Sequence, residues 1–438
     1  MTRDKGISLY RKAKGIIPGG TQLLSKRPEM FVPDGWPSYY ARCHGIRVWD
    51  LDGNEYRDMT IAGVGACPLG YGDPDVDAAV AEAIKGGNMC TLNAPEEVEL
   101  SETMIRLHPW AEMVRLARTG GEAMAVSVRI ARAATGRDTV LFCGYHGHCD
   151  WYLSANLADD SALDGHLLPG LEPAGVPRAL RGTAVPFSYN DLRSLEELLH
   201  RHKGQAGAVV MEPVRNIWPE KGFLEGVREL TRENGVPLIF DEVTSGFRMN
   251  TGGIHLKLGV EPDVAVFAKA LGNGYPIAAV IGKEWVMGAA ARSFISSTYW
   301  TDRIGPSAAL ATIKKHGRAD AGAHLTAIGQ AVQDGWRGLA QKHGLQMHIS
   351  GIPPLSHWSI DCAESGLLHT AISAGMLDRG FLTSKAFYAT LAHTQEDVSD
   401  YIKALDEVIA GLLPHVKAGD LKEAYPGQAA HTGFKRLT

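Results

Sequence analysis

Cysteine is scarce in this chain: six residues are scattered over 438 positions. They form no Cys-x-x-Cys pair, which argues against a disulfide framework and against zinc-finger spacing. The segment "CGYHGHCD" (143–150) groups two cysteines with two histidines, but it lacks a second pair of ligands at a suitable spacing. We therefore expect no metal site, and we expect reduced cysteines, as in a cytoplasmic enzyme.

Long apolar runs and an excess of one charge are missing as well. The sequence has no run of 18 apolar residues, and its opening segment, "MTRDKGISLYRKAKG", is charged. We therefore expect neither a membrane-spanning helix nor a secretory signal. The net charge is −5 and the isoelectric point is about 6.4, so we expect no basic surface for phosphate backbones. These absences argue against nucleic-acid and membrane partners.

The middle of the chain alternates short apolar runs with longer amphipathic stretches. The runs are bounded by turn residues or charges, which is typical of buried strands. Strands that are buried on both faces and alternate with helices indicate a mostly parallel sheet in an α/β domain. The predicted strands are 138–144, 206–214, 236–243 and 263–270, and the predicted helices are 120–136 and 223–235.

The two ends of the chain have a different pattern. The segment "LDGN" (51–54) predicts a hairpin turn, and long helical patterns cover 323–344 and 396–416. The simplest architecture is a large central domain and a smaller α+β domain built from both termini. The predicted parts are an N-terminal segment of the small domain (1–60), the large α/β domain (61–315) and the C-terminal part of the small domain (316–438).

Ionisable residues stand at the ends of three predicted strands: Glu212, Asp241 and Lys269. Parallel sheets bind ligands beyond the carboxyl ends of their strands. Burial disfavours an ammonium group and lowers its pKa, which is how a lysine becomes a nucleophile near neutral pH. Simpler explanations remain open, because Asp241 could cap a helix, Lys269 could reach out to solvent, or the two could pair with each other.

A third feature is the sequence Thr119-Gly120-Gly121, which directly precedes an amphipathic helix. Glycines allow close backbone approach, and a helix N-terminus offers unpaired N–H groups to an anion. An ordinary tight turn would explain this segment by itself. Together with an acid and an amine at strand ends, however, it suits pyridoxal phosphate, which needs a phosphate cradle, a lysine and an acid at its ring nitrogen.

Several motifs in a fixed order resemble the class III (fold-type I) aminotransferases that depend on pyridoxal phosphate, and most closely the glutamate-1-semialdehyde 2,1-aminomutase branch. The resemblance covers most of the chain and implies the fold-type I PLP-transferase fold. The motifs are "IPGGTQ" (17–22), "TGGEAMAVSVRIARAATGRD" (119–138), "GYHGHCDWY" (144–152), "MEPV" (211–214), "IFDEVTSGFR" (239–248), "FAKALGNGYPIAAVIG" (267–282) and "LAHTQEDV" (391–398).

The resemblance implies a role for each matching residue. Lys269 would bind the cofactor as a Schiff base and then act as general acid and base. Asp241 would hold the protonated ring nitrogen. Val243 would pack on one face of the ring and Tyr145 would stack on the other.

The resemblance also implies how the phosphate and the edge of the ring are held. Gly120 and Gly121 would donate backbone N–H groups to the phosphate, and Glu212 and Glu242 would give supporting hydrogen bonds near the ring. In the family, a threonine of the second subunit completes the phosphate site. Thr298 and Thr301 are both candidates here, and a homodimer with a shared active site follows.

The reaction is less well defined than the cofactor. Trp151 and the long segment "SSTYWTDRIGP" (296–306) depart from the aminomutase pattern. We therefore favour an aminotransferase that moves an amino group from an amino-acid donor to an aldehyde or keto acceptor. The long segment 167–184 favours a bulky, sugar-derived acceptor. The aminomutase, and a non-catalytic binding protein that retains the fold, are the alternatives.

Overall fold

The computed structural model describes residues 2–166, 169–214 and 216–431. The chain divides into two compact units: one combines Met1–Asp73 with Ala323–Thr438, and the other is Pro74–Gly322. The domain boundaries that we placed at 60/61 and 315/316 stay predictions.

Helices and strands alternate along much of the chain. The strands are β1 (Tyr40–His44), β2 (Arg47–Asp50), β3 (Glu55–Met59), β4 (Met113–Ala117), β5 (Thr139–Cys143), β6 (Ala184–Pro186), β7 (Ala206–Met211), β8 (Leu238–Asp241), β9 (Val264–Phe267), β10 (Ala278–Gly282), β11 (Met347–Ser350), β12 (Leu355–Ile360), β13 (Phe381–Thr383) and β14 (Ala386–Tyr388).

The helices are α1 (Asp4–Lys14), α2 (Pro74–Lys85), α3 (Pro95–Leu107), α4 (Gly120–Thr135), α5 (Asp150–Leu153), α6 (Leu192–Arg201), α7 (Phe223–Glu233), α8 (His255–Leu258), α9 (Glu284–Met287), α10 (Ile304–Arg318), α11 (Ala321–His343), α12 (Ser365–Leu377), α13 (Gln395–Ala418) and α14 (Leu421–Ala424). Short 3-10 turns cover Leu24–Lys26, Pro28–Met30, Ser154–Leu157, Arg178–Leu180, Lys269–Gly272, Gly288–Arg292 and Thr298–Thr301.

Seven strands of the unit Pro74–Gly322 form one sheet, in the order β4-β10-β9-β8-β7-β5-β6. Strand β10 is antiparallel to both of its neighbours, whereas β9, β8, β7, β5 and β6 pair in parallel. Alternate side chains enter apolar clusters on opposite faces, with Val140 and Ile239 on one face and Leu141 and Leu238 on the other. The sheet is therefore mostly parallel and buried on both faces, as the apolar runs predicted.

Helix α4 brings its N-terminus to the edge at which β8 and β9 end. Strand β4, which precedes α4, runs in the same direction as β9, because β10 is antiparallel to both. The helix begins with a capping box, in which the side chains of Thr119 and Glu122 bond each other's backbone N–H groups. Its first turn and the carboxyl ends of the parallel strands therefore lie along one edge of the sheet.

The other unit contains a four-stranded sheet, β1-β2-β3-β13, and a three-stranded sheet, β11-β12-β14. The segment "LDGN" joins the antiparallel strands β2 and β3, as the hairpin prediction required. Oδ1 of Asp50 stabilises this turn by accepting backbone hydrogen bonds from Asp52 and Asn54. Strand β13 pairs in parallel with β3, so both ends of the chain contribute to one sheet. No helix within the described ranges is long and apolar enough to cross a membrane.

Candidate active site

The predicted site residues of the central sheet meet at one edge. Asp241 is the last residue of β8, Glu212 directly follows β7, and Lys269 lies two residues beyond β9. Gly120 and Gly121 begin α4, whose first turn lies along the same edge. The order of the strands therefore brings together residues that are up to 149 positions apart in the sequence.

Lys269 stands in a strained turn. Its φ of 27° is positive, a conformation that side chains other than glycine rarely adopt and that typically costs about 1–3 kcal/mol. Its ammonium donates a hydrogen bond to Oγ1 of Thr244, with Nζ and Oγ1 2.8 Å apart. Thr244 lies within the "IFDEVTSGFR" motif, but no role was predicted for it from the sequence. The turn therefore fixes the direction of the lysine, and Thr244 holds its amine.

Asp241 is bonded to a buried histidine that was not among the predicted site residues. Nδ1 of His146 lies 2.8 Å from Oδ2 of Asp241, and Oδ1 of Asp241 accepts the backbone N–H of Val243. Nε2 of His146 faces the carbonyl oxygen of Cys143 at 3.1 Å. A carbonyl only accepts, so Nε2 carries a proton and a second proton lies between Nδ1 and Asp241. The His146–Asp241 pair is therefore neutral overall.

Glu242 belongs to a separate buried network. Its carboxylate accepts hydrogen bonds from Nδ1 of His255 (2.7 Å) and from the hydroxyl of Ser245 (2.6 Å). Nε2 of His255 accepts the indole N–H of Trp110, so His255 is neutral. Burial raises the pKa of Glu242, but these hydrogen bonds outweigh it and hold that pKa below its usual value. The supporting role near the ring that we expected of Glu242 stays a prediction.

Gly120 and Gly121 allow two close approaches. A Cβ on Gly120 would lie 2.9 Å from Cγ1 of Val243, and one on Gly121 would lie 3.1 Å from Nδ1 of His148. Larger residues would therefore push Val243 and the loop after β5 away from the helix. The backbone N–H groups of a first helical turn have no partner within the helix and can bind an anion.

Tyr145 and Glu212 are linked through the backbone. The N–H of Tyr145 donates to Oε2 of Glu212 at 3.0 Å, and the Tyr145 ring meets Tyr152 edge-on. Gly144 has a φ of 112°, and a Cβ there would lie 2.8 Å from Oε2 of Glu212. Glu212 therefore positions the backbone from which the predicted stacking ring of Tyr145 extends.

Thr298 and Thr301 are exposed at the two ends of a 3-10 turn. The hydroxyl of Thr301 donates to the carbonyl of Thr298, so a bond within the turn joins the two candidates. Arg118, directly before the Thr-Gly-Gly segment, anchors the turn by donating to the carbonyl oxygens of Trp300 and Asp302. The contact of either threonine with a second subunit's phosphate stays a prediction.

Of the other residues predicted from the sequence, Trp151 lies beside the site. Trp151 is buried and its ring is stacked on that of His146, with centroids 6.1 Å apart. Of the segment 167–184, Leu167 and Leu168 lie outside the described residues. Leu171 in this segment is buried and belongs to the apolar cluster beneath α4.

This set of side chains fits pyridoxal phosphate. The amine of Lys269 is positioned by the turn after β9, and a carboxylate such as Asp241 has lone pairs for a further donor beyond its two present partners. A glycine-opened helix N-terminus suits the phosphate. Within residues 2–166, 169–214 and 216–431, no group of three or more His, Cys, Asp and Glu side chains could hold a metal ion.

Comparison with known proteins places these features in a family. The family model for aminotransferase class-III matches residues 33–409. A 3-aminobutyryl-CoA aminotransferase of Cloacimonas acidaminovorans (strain Evry) is 32% identical over 93% of this chain and 97% of the relative. A 2'-deamino-2'-hydroxyneamine transaminase of Streptomyces kanamyceticus is 31% identical, covering 85% and 92%. A glutamate-1-semialdehyde 2,1-aminomutase of Symbiobacterium thermophilum is 33% identical, covering 93% and 98%.

The fold has close counterparts among solved structures. The FumI protein of Sphingopyxis sp. MTA144, solved with PLP as the internal aldimine, aligns with a TM-score of 0.86 and 25% identity. The alignment covers 98% of this chain and 99% of that one. The fold-type I architecture expected from the sequence is confirmed.

Proposed function

Because this chain belongs to the class III aminotransferases, whose cofactor is pyridoxal phosphate, we propose that it moves an amino group from an amino-acid donor to an aldehyde or keto acceptor. One observation carries the proposal: the strained Lys269 and the neutral His146–Asp241 pair lie at one edge of the sheet. A non-catalytic protein that only kept the fold would have no need for that strain.

Each side chain of the site has a different role in transamination. The bound cofactor supplies an electron sink for the bonding electrons of the substrate carbon. Lys269 would take the proton from that carbon and deliver it to the carbon on the cofactor side of the shared nitrogen, while Thr244 holds the amine when it is not engaged. With the cofactor bound, Asp241 would hold its ring nitrogen, and His146 keeps that carboxylate in place. Val243 and Tyr145 would confine the ring from its two faces.

We propose an acceptor larger than a simple keto acid, of which a sugar-derived carbonyl is one class. The transaminase of Streptomyces kanamyceticus, named for 2'-deamino-2'-hydroxyneamine, supports this choice. An aminomutase remains the second candidate, because a glutamate-1-semialdehyde 2,1-aminomutase is 33% identical to this chain.

The test is the visible absorbance of the loaded enzyme while amino donors are added one at a time. Conversion of the cofactor to its aminated form by glutamate or alanine would support transamination. Conversion by 4,5-diaminovalerate alone would favour the aminomutase. No conversion by any donor, with cofactor bound, would contradict both. The Lys269→Ala variant is the matched control, because it should bind the cofactor without converting it.

We also propose a cytoplasmic homodimer in which each active site uses a threonine of the other subunit. Apolar side chains exposed on the unit Pro74–Gly322, among them Leu92, Phe294 and Tyr299, support a buried interface. Mixing Lys269→Ala subunits with Thr298→Val/Thr301→Val subunits should restore roughly a quarter of wild-type activity, since one site of each hybrid dimer is intact. No recovery on mixing, or a monomer in sedimentation, would contradict the shared site.

A further inference from the structure

Arg118 holds the turn Thr298–Thr301, which we call the threonine turn. Its Nη2 donates to the carbonyl oxygens of Trp300 and Asp302 at 2.8 and 3.1 Å, and its Nε donates to the carboxylate of Asp302. Its Nη1 donates to the carbonyl of Ala117 at 3.0 Å. The side chains of Arg118 and Asp302 are only 11% and 13% exposed, so the ion pair is mostly shielded from water. The planar guanidinium therefore fixes the backbone at the end of the turn.

The same arginine belongs to the segment that begins α4. Its backbone N–H donates to Oε2 of Glu122 at 2.9 Å, beside the capping box that Glu122 forms with Thr119. Gly120 and Gly121, the predicted phosphate cradle, follow directly in the sequence. Arg118 thus bonds the start of the helix through its backbone and the threonine turn through its side chain. The cradle and the threonine turn of one subunit are therefore joined by a single residue.

The residues that follow the turn are anchored on a second side. Oδ1 of Asp302 accepts the backbone N–H of Gly305 at 3.1 Å, in the first turn of α10. The guanidinium of Arg303 donates two hydrogen bonds to the carboxylate of Glu96. The backbone N–H of Arg303 donates to the carbonyl of Asn88 at 3.0 Å. The threonine turn is therefore held from both sides within one subunit.

The outer face of the threonine turn is exposed. Tyr299 is 71% exposed, and Thr298 and Thr301 are exposed as well. Trp300 packs inward against the apolar cluster beneath α4. The hydroxyl of Thr301 donates to the carbonyl of Thr298, so its proton is engaged within the turn. Thr298 is therefore the better donor to a group outside the subunit.

We propose that Arg118 and Asp302 are positioning residues for the active site of the partner subunit. They hold the threonine turn so that Thr298 can donate its hydroxyl to the phosphate that binds there. The proposal rests on the proposed function, in which a threonine of one subunit completes the site of the other. Without the ion pair, the turn would have to be ordered whenever the phosphate binds, and ordering a segment on binding lowers affinity.

This role predicts an effect that crosses from one subunit to the other. Asp302→Asn keeps an oxygen for the N–H of Gly305 but removes the charge opposite Arg118, so it should loosen the turn. The phosphate site that loses affinity is then the one in the other subunit. The altered subunit keeps its own cradle, including the bond between Arg118 and Glu122. A purely structural ion pair would not distinguish the two sites.

Two hybrid dimers test this prediction. In the first, a subunit with Asp302→Asn is paired with a subunit with Lys269→Ala. In the second, both substitutions are in one subunit and the other subunit is wild type. Different affinity tags on the two subunits allow each hybrid to be purified. Both hybrids carry the same substitutions and one intact lysine, so any general loss of stability affects them equally.

The measured quantity is the Kd for pyridoxal phosphate at the site with the intact lysine. Cofactor-free hybrids are titrated, and the visible absorbance of the lysine-bound cofactor is followed. The second hybrid should bind about tenfold more weakly than the first, which is the effect of losing one hydrogen bond to a charged group. Equal Kd values in the two hybrids would overturn the proposal. Arg292→Lys, which alters an exposed arginine bonded to the carbonyl of Ala133, should give equal values when it replaces Asp302→Asn.

Thr298→Val in the same two arrangements separates this proposal from the proposed function. If Thr298→Val weakens binding in the second arrangement and Asp302→Asn does not, the shared threonine stands and the positioning role fails. If neither Thr298→Val nor Thr301→Val weakens it, the shared site fails and the positioning role fails with it. Because the Kd is measured without an amino donor, transamination is judged separately, by conversion of the cofactor with alanine.

Discussion

Asp241 and Glu242 are neighbours in the sequence, and each is bonded to a buried histidine, yet the two networks are built differently. His146 bonds a carbonyl through its other nitrogen, so the His146–Asp241 pair holds an extra proton and is neutral. His255 accepts an indole N–H through its other nitrogen, so the His255–Glu242 pair carries one negative charge. The outer partner of the histidine thus decides the charge of the pair.

The two networks are therefore expected to have different roles, one in the reaction and one in stability. Glu242 is fully enclosed by donors, since two N–H groups of His255 and the hydroxyl of Ser245 all bond it. Asp241 has two protein partners and lies at the sheet edge beside the turn that carries Lys269. We therefore expect the first network to matter for stability and the second for turnover.

Asp241→Asn gives the largest expected effect. A neutral amide cannot hold the ring nitrogen protonated, so kcat should fall by at least about 10²–10³-fold. The free energy of unfolding should change little, because an amide of the same shape keeps the bond to Val243. Single-turnover kinetics and urea unfolding measure the two quantities. Turnover close to wild type would show that Asp241 is not the partner of the ring nitrogen.

Glu242→Gln should lower stability and leave turnover nearly unchanged, which is the reverse of the effect expected for Asp241→Asn. It removes the charge that the donors of its network stabilise, so the free energy of unfolding should fall by about 2 kcal/mol. At a temperature where the variant is folded, kcat should stay within about twofold of wild type. Urea unfolding and initial rates test both. A loss of turnover comparable to that of Asp241→Asn would mean that Glu242 also serves the cofactor, as its place in the motif first indicated.

The sequence predicted the secondary-structure elements better than the hydrogen bonds between distant residues. Apolar runs located β5, β7, β8 and β9, and the Thr-Gly-Gly segment located the start of α4, because burial and helix capping are local patterns. The bond between His146 and Asp241 joins residues 95 positions apart, and that between Trp110 and His255 joins residues 145 apart. Such pairings follow from the order of the strands and leave no local pattern. Thr244 was missed although it stands in a recognised motif, because its role depends on where Lys269 points.

His146→Gln tests the role of the neutral His146–Asp241 pair, and its expected effect on kcat is smaller than that of Asp241→Asn. The variant keeps an N–H donor but cannot carry the extra proton that neutralises Asp241, so kcat should fall about tenfold, as expected when a partner that orients an active-site group is lost. The pH dependence of kcat should change its shape as well, because the proton that His146 shares with Asp241 has been removed. A purely structural role for His146 would lower stability while leaving the pH profile of kcat unchanged.

His108→Gln sharpens the comparison from the structural side, through the pH dependence of stability. His108 stacks on His255, accepts the N–H of Gly253 and donates to the carbonyl of Met104, so it is neutral when folded. Burial lowers its pKa to about 4. Between pH 6.5 and 4 the unfolded chain therefore binds a proton that the folded chain does not. As the pH falls through this range, the free energy of unfolding decreases by about 1.4 kcal/mol per pH unit for this residue.

Urea unfolding at pH 5 and at pH 7 measures this contribution. Burial also lowers the pKa of His316, His369 and His393, so the wild type should lose stability on acidification through several groups at once. His108→Gln should reduce the number of protons taken up on unfolding by about one, so that stability decreases less steeply as the pH falls. His200→Gln, which removes an exposed histidine, should leave the slope unchanged. An unaltered slope in His108→Gln would mean that His108 is protonated in the folded protein, and a cation would then lie against the anionic His255–Glu242 pair.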